Sequence, residues 1–199
     1  MRRFLTRPVP RGVMLQCTIK RDKSGFNRLY PKYFLHLSTG NQAFLLAGKK
    51  RPKNKTSNYL ISMSQKDLNV KSSNFVGKLR SNFLGTEFNV YSPGLNPKKR
   101  AANVTNTREQ MGVVLYQSNI LGSKGPRKMR VLLPAVNPQG EHVIWKPRNK
   151  NDGMLQKYKA GDTTGMFVFY NKPPKWNEHV QAFVLNFNGR VDKASVKNF

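Results

Sequence analysis

Short apolar–polar alternations recur along almost the whole of this sequence, while helical periodicity is scarce. The clearest alternation spans residues 13–20. Val13, Leu15, Cys17 and Ile19 fall on one side and Met14, Gln16, Thr18 and Lys20 on the other, the period-two pattern of a half-buried strand. Similar runs follow at 33–37, 43–47, 59–63, 75–80, 86–91, 112–116, 128–133, 142–146, 166–170, 182–187 and 190–196, separated by Gly, Pro, Asn or Lys clusters. Many short strands at this spacing predict a closed or nearly closed antiparallel sheet. Asn188-Gly189 between two such runs predicts a two-residue type I′ hairpin. A short helix is expected at 154–159, with Asp152 near its start, and one helical turn at 65–70. Residues 92–108, rich in Pro, Asn and Lys, read as a long polar loop. Neither an internal repeat nor a second compositional regime is visible, so a single domain over 1–199 is expected.

Charge narrows the partners. Lys and Arg total 36 against 9 Asp and Glu, a formal net charge of +27. Such an excess favours polyanions (nucleic acid, anionic lipid or heparin-like polymers) without choosing among them. Cys17 is the single cysteine, which excludes an intrachain disulfide and fits a reducing compartment. No apolar run follows Met1-Arg2-Arg3, so no signal peptide is expected. No stretch approaches the ~18 apolar residues of a membrane-spanning helix, so any membrane binding should be peripheral. Asn54-Lys55-Thr56 and Asn103-Val104-Thr105 match the glycosylation sequon and read as chance matches without a secretory signal.

The chemistry of catalysis has little to build on. The 9 carboxylates are scattered and form no short-spaced acid–base pair. His36, His142 and His179 lie far apart, and with one cysteine they give no metal-ligand spacing, so no metal or other cofactor is expected. Gly48-Lys49 lacks the earlier glycine and the following Ser or Thr of a phosphate-binding loop. The chain is therefore expected not to be an enzyme.

The segment Gly48-Lys49-Lys50-Arg51-Pro52-Lys53-Asn54-Lys55-Thr56-Ser57-Asn58 carries the chemistry instead. It places 5 cations within 7 residues, directly after one apolar run and before another. Strands on both sides would fix the ends of this loop and make its charges converge. Lys offers compact ammonium charges and Arg a planar fork suited to phosphate oxygens. Lys78 and Arg80 alternate on the next run and so point to one face. The competing reading is a solvated hairpin tip, and the residues alone leave both open. Two further basic clusters, Lys98-Lys99-Arg100 and Lys124 with Arg127, Lys128 and Arg130, read as flexible loop charge and as a possible extension of the basic surface. The aromatic residues fall mostly on strand positions, where core packing accounts for them better than base stacking.

In combination these blocks resemble the tubby and tubby-like family. The resemblance rests on Arg7-Pro8 with Pro10-x-Gly12, Tyr33-Phe34-Leu35-His36-Leu37, Phe44-Leu45-Leu46-Ala47-Gly48 and Lys55-Thr56-Ser57-Asn58-Tyr59-Leu60-Ile61-Ser62. It continues through Gly77-Lys78-Leu79-Arg80-Ser81-Asn82, Gly125-Pro126-Arg127-Lys128-Met129, Lys172-x-Pro174-x-Trp176-Asn177, and Gly189-Arg190-Val191 with Ala194-Ser195-Val196-Lys197-Asn198-Phe199. It implies a β-barrel around a long apolar helix that follows the region matched here. The expected architecture is thus an all-β antiparallel barrel of about 11–12 short strands, unplugged within these residues. The resemblance further implies binding of phosphatidylinositol 4,5-bisphosphate at the cytoplasmic leaflet. Lys49, Lys50, Arg51 and Arg80 would hold the headgroup, and Lys53, Lys55 and Lys78 would add field. Plasma-membrane or ciliary location, a nuclear pool on lipid hydrolysis and delivery of membrane receptor cargo are implied likewise. A DNA-binding transcription modulator is the alternative, although no helix-turn-helix, zinc or basic-zipper pattern supports it. A receptor-cargo adaptor with secondary lipid contact is the third reading.

Overall fold

The computed structural model describes residues 1–99, 105–117, 128–149 and 151–191. Successive alternating runs joined by short turns favour pairing of sequence neighbours, and the molecule follows that rule throughout. Nine strands form one antiparallel sheet in chain order: β1 (Cys17–Asp22), β2 (Lys32–Leu37), β3 (Phe44–Lys50), β4 (Asn58–Ser62), β5 (Phe75–Ser81), β6 (Glu87–Tyr91), β7 (Gln110–Tyr116), β8 (Met129–Pro134) and β9 (Met166–Tyr170). A separate ribbon pairs β10 (Lys175–Asn177) with β11 (Ala182–Val184). The helices are α1 (Arg2–Thr6) and α2 (Met154–Lys159), with a 3₁₀ turn at Gly25–Arg28.

The protein is therefore mostly β, as expected. Among the described residues β1 and β9 are the two ends of the sheet and do not pair with each other, so no closed barrel is seen within them. The last expected strand, 190–196, falls largely outside the described residues.

Register sorts the side chains onto two faces. One row runs Lys49–Leu60–Lys78–Tyr91–Gln110 across β3 to β7. The next runs Asn58–Arg80–Asn89–Val113–Leu132–Val168 across β4 to β9. Both rows belong to the same face, because residues two apart on a strand share a side. On its β7–β9 half, Val113 and Leu132 pack with Trp145, Met154, Leu155 and Met166 into the buried core. Helix α2 supplies Met154 and Leu155, and the buried Gln110 accepts a hydrogen bond from the Met154 backbone at 2.8 Å. The opposite face is largely apolar, with Arg21, Lys50 and Ser81 as polar positions on it. Ile19, Leu35 and Leu46 form one of its rows, and Phe88, Val114, Val131 and Phe169 another.

Several local expectations change. The strand expected over 13–20 begins only at Cys17, and its apolar side is uncovered: Ile19 is 67% exposed. β1 is an edge strand, and no described element packs over that side. Residues 142–146 form no strand beyond an isolated bridge from His142 to Val136. There Trp145 is drawn into the core, its indole N–H donating to the Gly165 carbonyl and its own carbonyl accepting from the Gln110 N–H. Residues 65–70 make no helical turn. Ser62 donates to the Asp67 carbonyl and Ser72 bonds the Asp67 carboxylate, local side-chain bonds that compete with a helix. The helix at Met154–Lys159 is as expected; Asn188-Gly189 makes the expected turn, but the strand expected over 182–187 ends at Val184 and no strand pairing flanks the turn among the described residues. Both turn residues have positive φ, 51° and 73°, and Arg190 N–H closes on the Phe187 carbonyl.

Candidate functional site

The hairpin β3–β4 holds the basic segment at both ends. Lys50 opposes Tyr59, and Arg51 N–H donates to the Asn58 carbonyl at 2.8 Å. Inside the loop, Asn54 accepts from Asn58 Nδ2 at 3.1 Å and donates to the Pro52 carbonyl at 3.1 Å. Lys53 sits at φ 62°, the left-handed region that lets so short a connection reverse. Ser57 N–H donates to the Ser81 hydroxyl and Ser81 N–H to the Ser57 carbonyl, tying the loop to the end of β5.

Strand β3 runs on to Lys50, so the first two cations of the segment are strand residues and not loop residues. Alternation then separates them. Lys49 shares its face with Leu60 and Lys78, and Asn58 opposite Arg80 brings Arg51 to the same side. Lys50 occupies the alternate register position with Tyr59 and Leu79. Lys49, Lys50 and Arg51 nevertheless all border one hollow of about 310 Å³, with Leu60 and Asn69 among its other walls. Lys53 and Lys55 are exposed on the loop.

Lys49 Nζ donates to Asn27 Oδ1 at 3.2 Å. Asn27 in turn donates to Asp22, whose carboxylate also accepts from the Ser24 hydroxyl and N–H. Those bonds from Ser24 hold the Asp22 carboxyl below its ordinary range. Lys49 is thus oriented through a neutral amide and not through a direct bond to the Asp22 carboxylate.

Lys78 is half-buried. Burial pushes its ammonium below the usual lysine range, and Arg108, Arg80, Arg51 and Lys99 push it further the same way. The carboxylates in ion pairs among the described residues, Glu87, Glu109 and Asp162, are taken by Lys159, by His142 and Lys146, and by Lys157. The row Arg51, Lys78 and Arg80 has none of them. Arg80 Nε is buried without a hydrogen-bond partner. A cationic row that the fold leaves uncompensated is poised for an external polyanion.

Two features escaped the sequence reading. The loop 92–99 is not free charge: Leu95 and Asn106 bond, and Arg108 N–H donates back to Leu95. That return brings Lys99 into the field of Lys78. Arg108 itself stacks on Tyr91, its guanidinium carbon 3.8 Å from the ring centroid. Only Arg108 and Tyr91 together would have given a signal, as a lone Arg before a strand and an aromatic at a strand end. Of the other clusters, Arg100, Lys124 and Arg127 lie outside the described residues, while Lys128 and Arg130 are exposed at the start of β8.

Residues 5–199 match the Tub family. The chain belongs to the Tub family. It is 45% identical over 200 residues to human tubby-related protein 1, covering 100% of this chain and 37% of that protein. Mouse tubby-related protein 3 is 45% identical over 201 residues, with 98% of this chain and 44% of that protein covered. Protein king tubby 1 of Aedes aegypti is 45% identical over 199 residues, at 98% and 47% coverage. The chain thus spans less than half the length of these relatives. The Tub family is non-enzymatic. Among the described residues, no group of three His, Cys, Asp or Glu side chains could hold a metal ion, and no helix is long and apolar enough to cross a membrane.

Proposed function

We propose that this chain is a phosphoinositide-binding membrane-association module and that its ligand is phosphatidylinositol 4,5-bisphosphate at the cytoplasmic leaflet. The observation that carries the reading is the uncompensated cationic face joining Lys49 and Arg51 on the β3–β4 hairpin to Lys78 and Arg80 on β5. Family membership supports it. Lys49, Lys50, Arg51 and Arg80 bind the ring phosphates, and Lys53, Lys55 and Lys78 deepen the field. Each cation near an anionic leaflet contributes ~1 kcal/mol, and several converging on one headgroup add charge-assisted hydrogen bonds. Closure of the sheet into a barrel, a plasma-membrane or ciliary location with a nuclear pool, and delivery of receptor cargo belong to the same proposal.

Flotation on vesicles tests it. Bisphosphorylated lipid should outcompete phosphatidylserine at equal charge density, and duplex DNA should not displace the chain from it. Equal binding to the two membranes with the same salt dependence would reduce the site to a polybasic patch. Displacement by DNA at matched phosphate concentration would favour the nucleic-acid reading.

A further inference from the structure

We infer that Arg108 is a second anion-binding centre on the cationic face, shaped for one further phosphate monoester of the polyphosphorylated inositol ligand held at Lys49, Arg51 and Arg80. This rests on the headgroup reading above and adds to it a residue and a ligand preference.

The guanidinium of Arg108 lies over Tyr91, and Tyr91 opposes Lys78 in the β5–β6 register. Adjacent strands are about 4.8 Å apart, so the new centre stands roughly one strand spacing from Lys78 and Arg80 on β5, the near end of the first centre. Stacking fixes the plane of the fork, and Nε of Arg108 is buried with no hydrogen-bond partner, as is Nε of Arg80. Nε and an adjacent Nη form the edge with which arginine grips phosphate in two parallel bonds. In Arg108 and Arg80 that edge carries a buried donor that no acceptor among the described residues takes up.

The surroundings suit an anion. A hollow of about 290 Å³ opens beside Arg108, bordered by Lys98, Arg148, Tyr91, Asn89 and Gln110. Glu87 also borders it, but its carboxylate is held by Lys159 at 2.5 Å. Gln110 Nε2 donates to Asn89 Oδ1 at 2.7 Å, and Gln110 Oε1 accepts from the Met154 N–H, so these side-chain amides serve as framework. Gly94 packs against the Arg108 backbone so closely that a Cβ there would lie 2.7 Å from the Arg108 nitrogen. The backbone that carries the fork is therefore fixed before ligand arrives.

Two guanidinium groups and an ammonium repel one another here. Burial pushes Arg108 below its ordinary range; Tyr91 opposes that shift and Arg80 adds to it. A monoester, with a charge of about −1.5 to −2 at neutral pH, relieves more of this repulsion than the single charge of a diester. The chemistry is common to a lipid headgroup and a free inositol phosphate.

The test follows the arginine Nε–H signals of the chain by NMR during titration with inositol bis-, tris- and tetrakisphosphates, with parallel flotation on vesicles bearing bis- or trisphosphorylated lipid. The Arg108 signal should move with the more highly phosphorylated ligands. Arg108→Gln should erase the gain from the extra phosphate, about tenfold in affinity, and Arg108→Lys should restore it only in part because the fork is lost. Lys49→Ala with Arg51→Ala should weaken every ligand. An unmoved Arg108 signal at saturation, with Arg80 moving, overturns the second centre and leaves the headgroup reading intact. Undiminished binding by the Lys49/Arg51 variant, with Arg108 moving, does the reverse. A gain seen with soluble ligands and absent on vesicles assigns the centre to free inositol phosphate, whereas an equal response to a DNA duplex overturns the preference for monoesters. The NMR readout on the unsubstituted chain does not depend on any variant folding.

Discussion

Lys49 and Arg51 lie at the end of β3 and the start of its hairpin loop, where side chains can be shortened without opening a core. Replacing both by Ala should abolish flotation on bisphosphorylated lipid while changing unfolding free energy by no more than ~0.5 kcal/mol per site. Urea unfolding beside flotation checks both halves. Asp162 makes a different prediction. The backbone N–H and hydroxyl of Thr164, with Lys157 beside them, lower its pKa to about 2. A depressed carboxyl pKa contributes stability that is present above the unfolded value and lost as pH falls through the folded one. The turn after α2 should therefore loosen between about pH 4 and pH 2, visible as loss of protection at the Thr164 amide, and Asp162→Asn should remove that dependence. At this scale the sequence disclosed residue types better than neighbours. The cations of 49–55 announce a phosphate site. That Lys50 takes the alternate register position, or that Arg108 joins the row, depends on register and on a loop return that no local pattern encodes.

Strand β5 shows what a single element must satisfy. A Cβ on Gly77 would lie 2.4 Å from the Tyr91 carbonyl, so β6 can approach β5 only because this position has no side chain. Gly77→Ala should push β6 away, cost about 1–3 kcal/mol, and displace Tyr91 from beneath Arg108. Thermal unfolding measures the cost, and the Arg108 Nε–H shift reports the displacement. Most strands were legible because alternation over four or more residues admits few other structures. The failures have two causes, neither visible in periodicity. At 142–146, burial of Trp145 outweighed extended pairing, and at 65–70 Ser and Asp hydroxyl and carboxylate bonds replaced a helical turn. Both outcomes were settled by tertiary partners distant from the segment or by side-chain bonding that periodicity does not report.

For the whole molecule, one face carries the core and most of the site cations, and the other, which holds Lys50, is largely apolar and partly bare. Ile19, Leu133, Phe167 and Phe169 are exposed on that second face, and a hollow of about 520 Å³ lined by Val131, Phe169, Leu185 and Phe187 adjoins it. Exposed apolar surface of this extent marks an interaction site or an aggregation liability. Residues 1–199 alone should bind a dye that reports apolar surface and should self-associate, as fluorescence and sedimentation would show. A dye-silent monomer with a cooperative transition would mean that the face is covered. Alternation in the sequence implied two faces, and net charge implied a polyanionic partner. It could not reveal which apolar face would find cover, since burial is a property of the assembled layers.

The alternation along β5 also behaves as a reading frame. Gly77, Leu79 and Ser81 belong to one face and Lys78 and Arg80 to the other, so the strand spells two messages in interleaved letters. Deleting one residue before Lys78 without moving the flanking strands would exchange those messages: ammonium and guanidinium would turn toward the apolar side and Leu79 toward the phosphates. No charge would have been removed, yet lipid binding should fall as far as in a charge-stripped variant and the fold should suffer in addition. The spacing of the cations along β5 therefore constrains this surface as firmly as their number does.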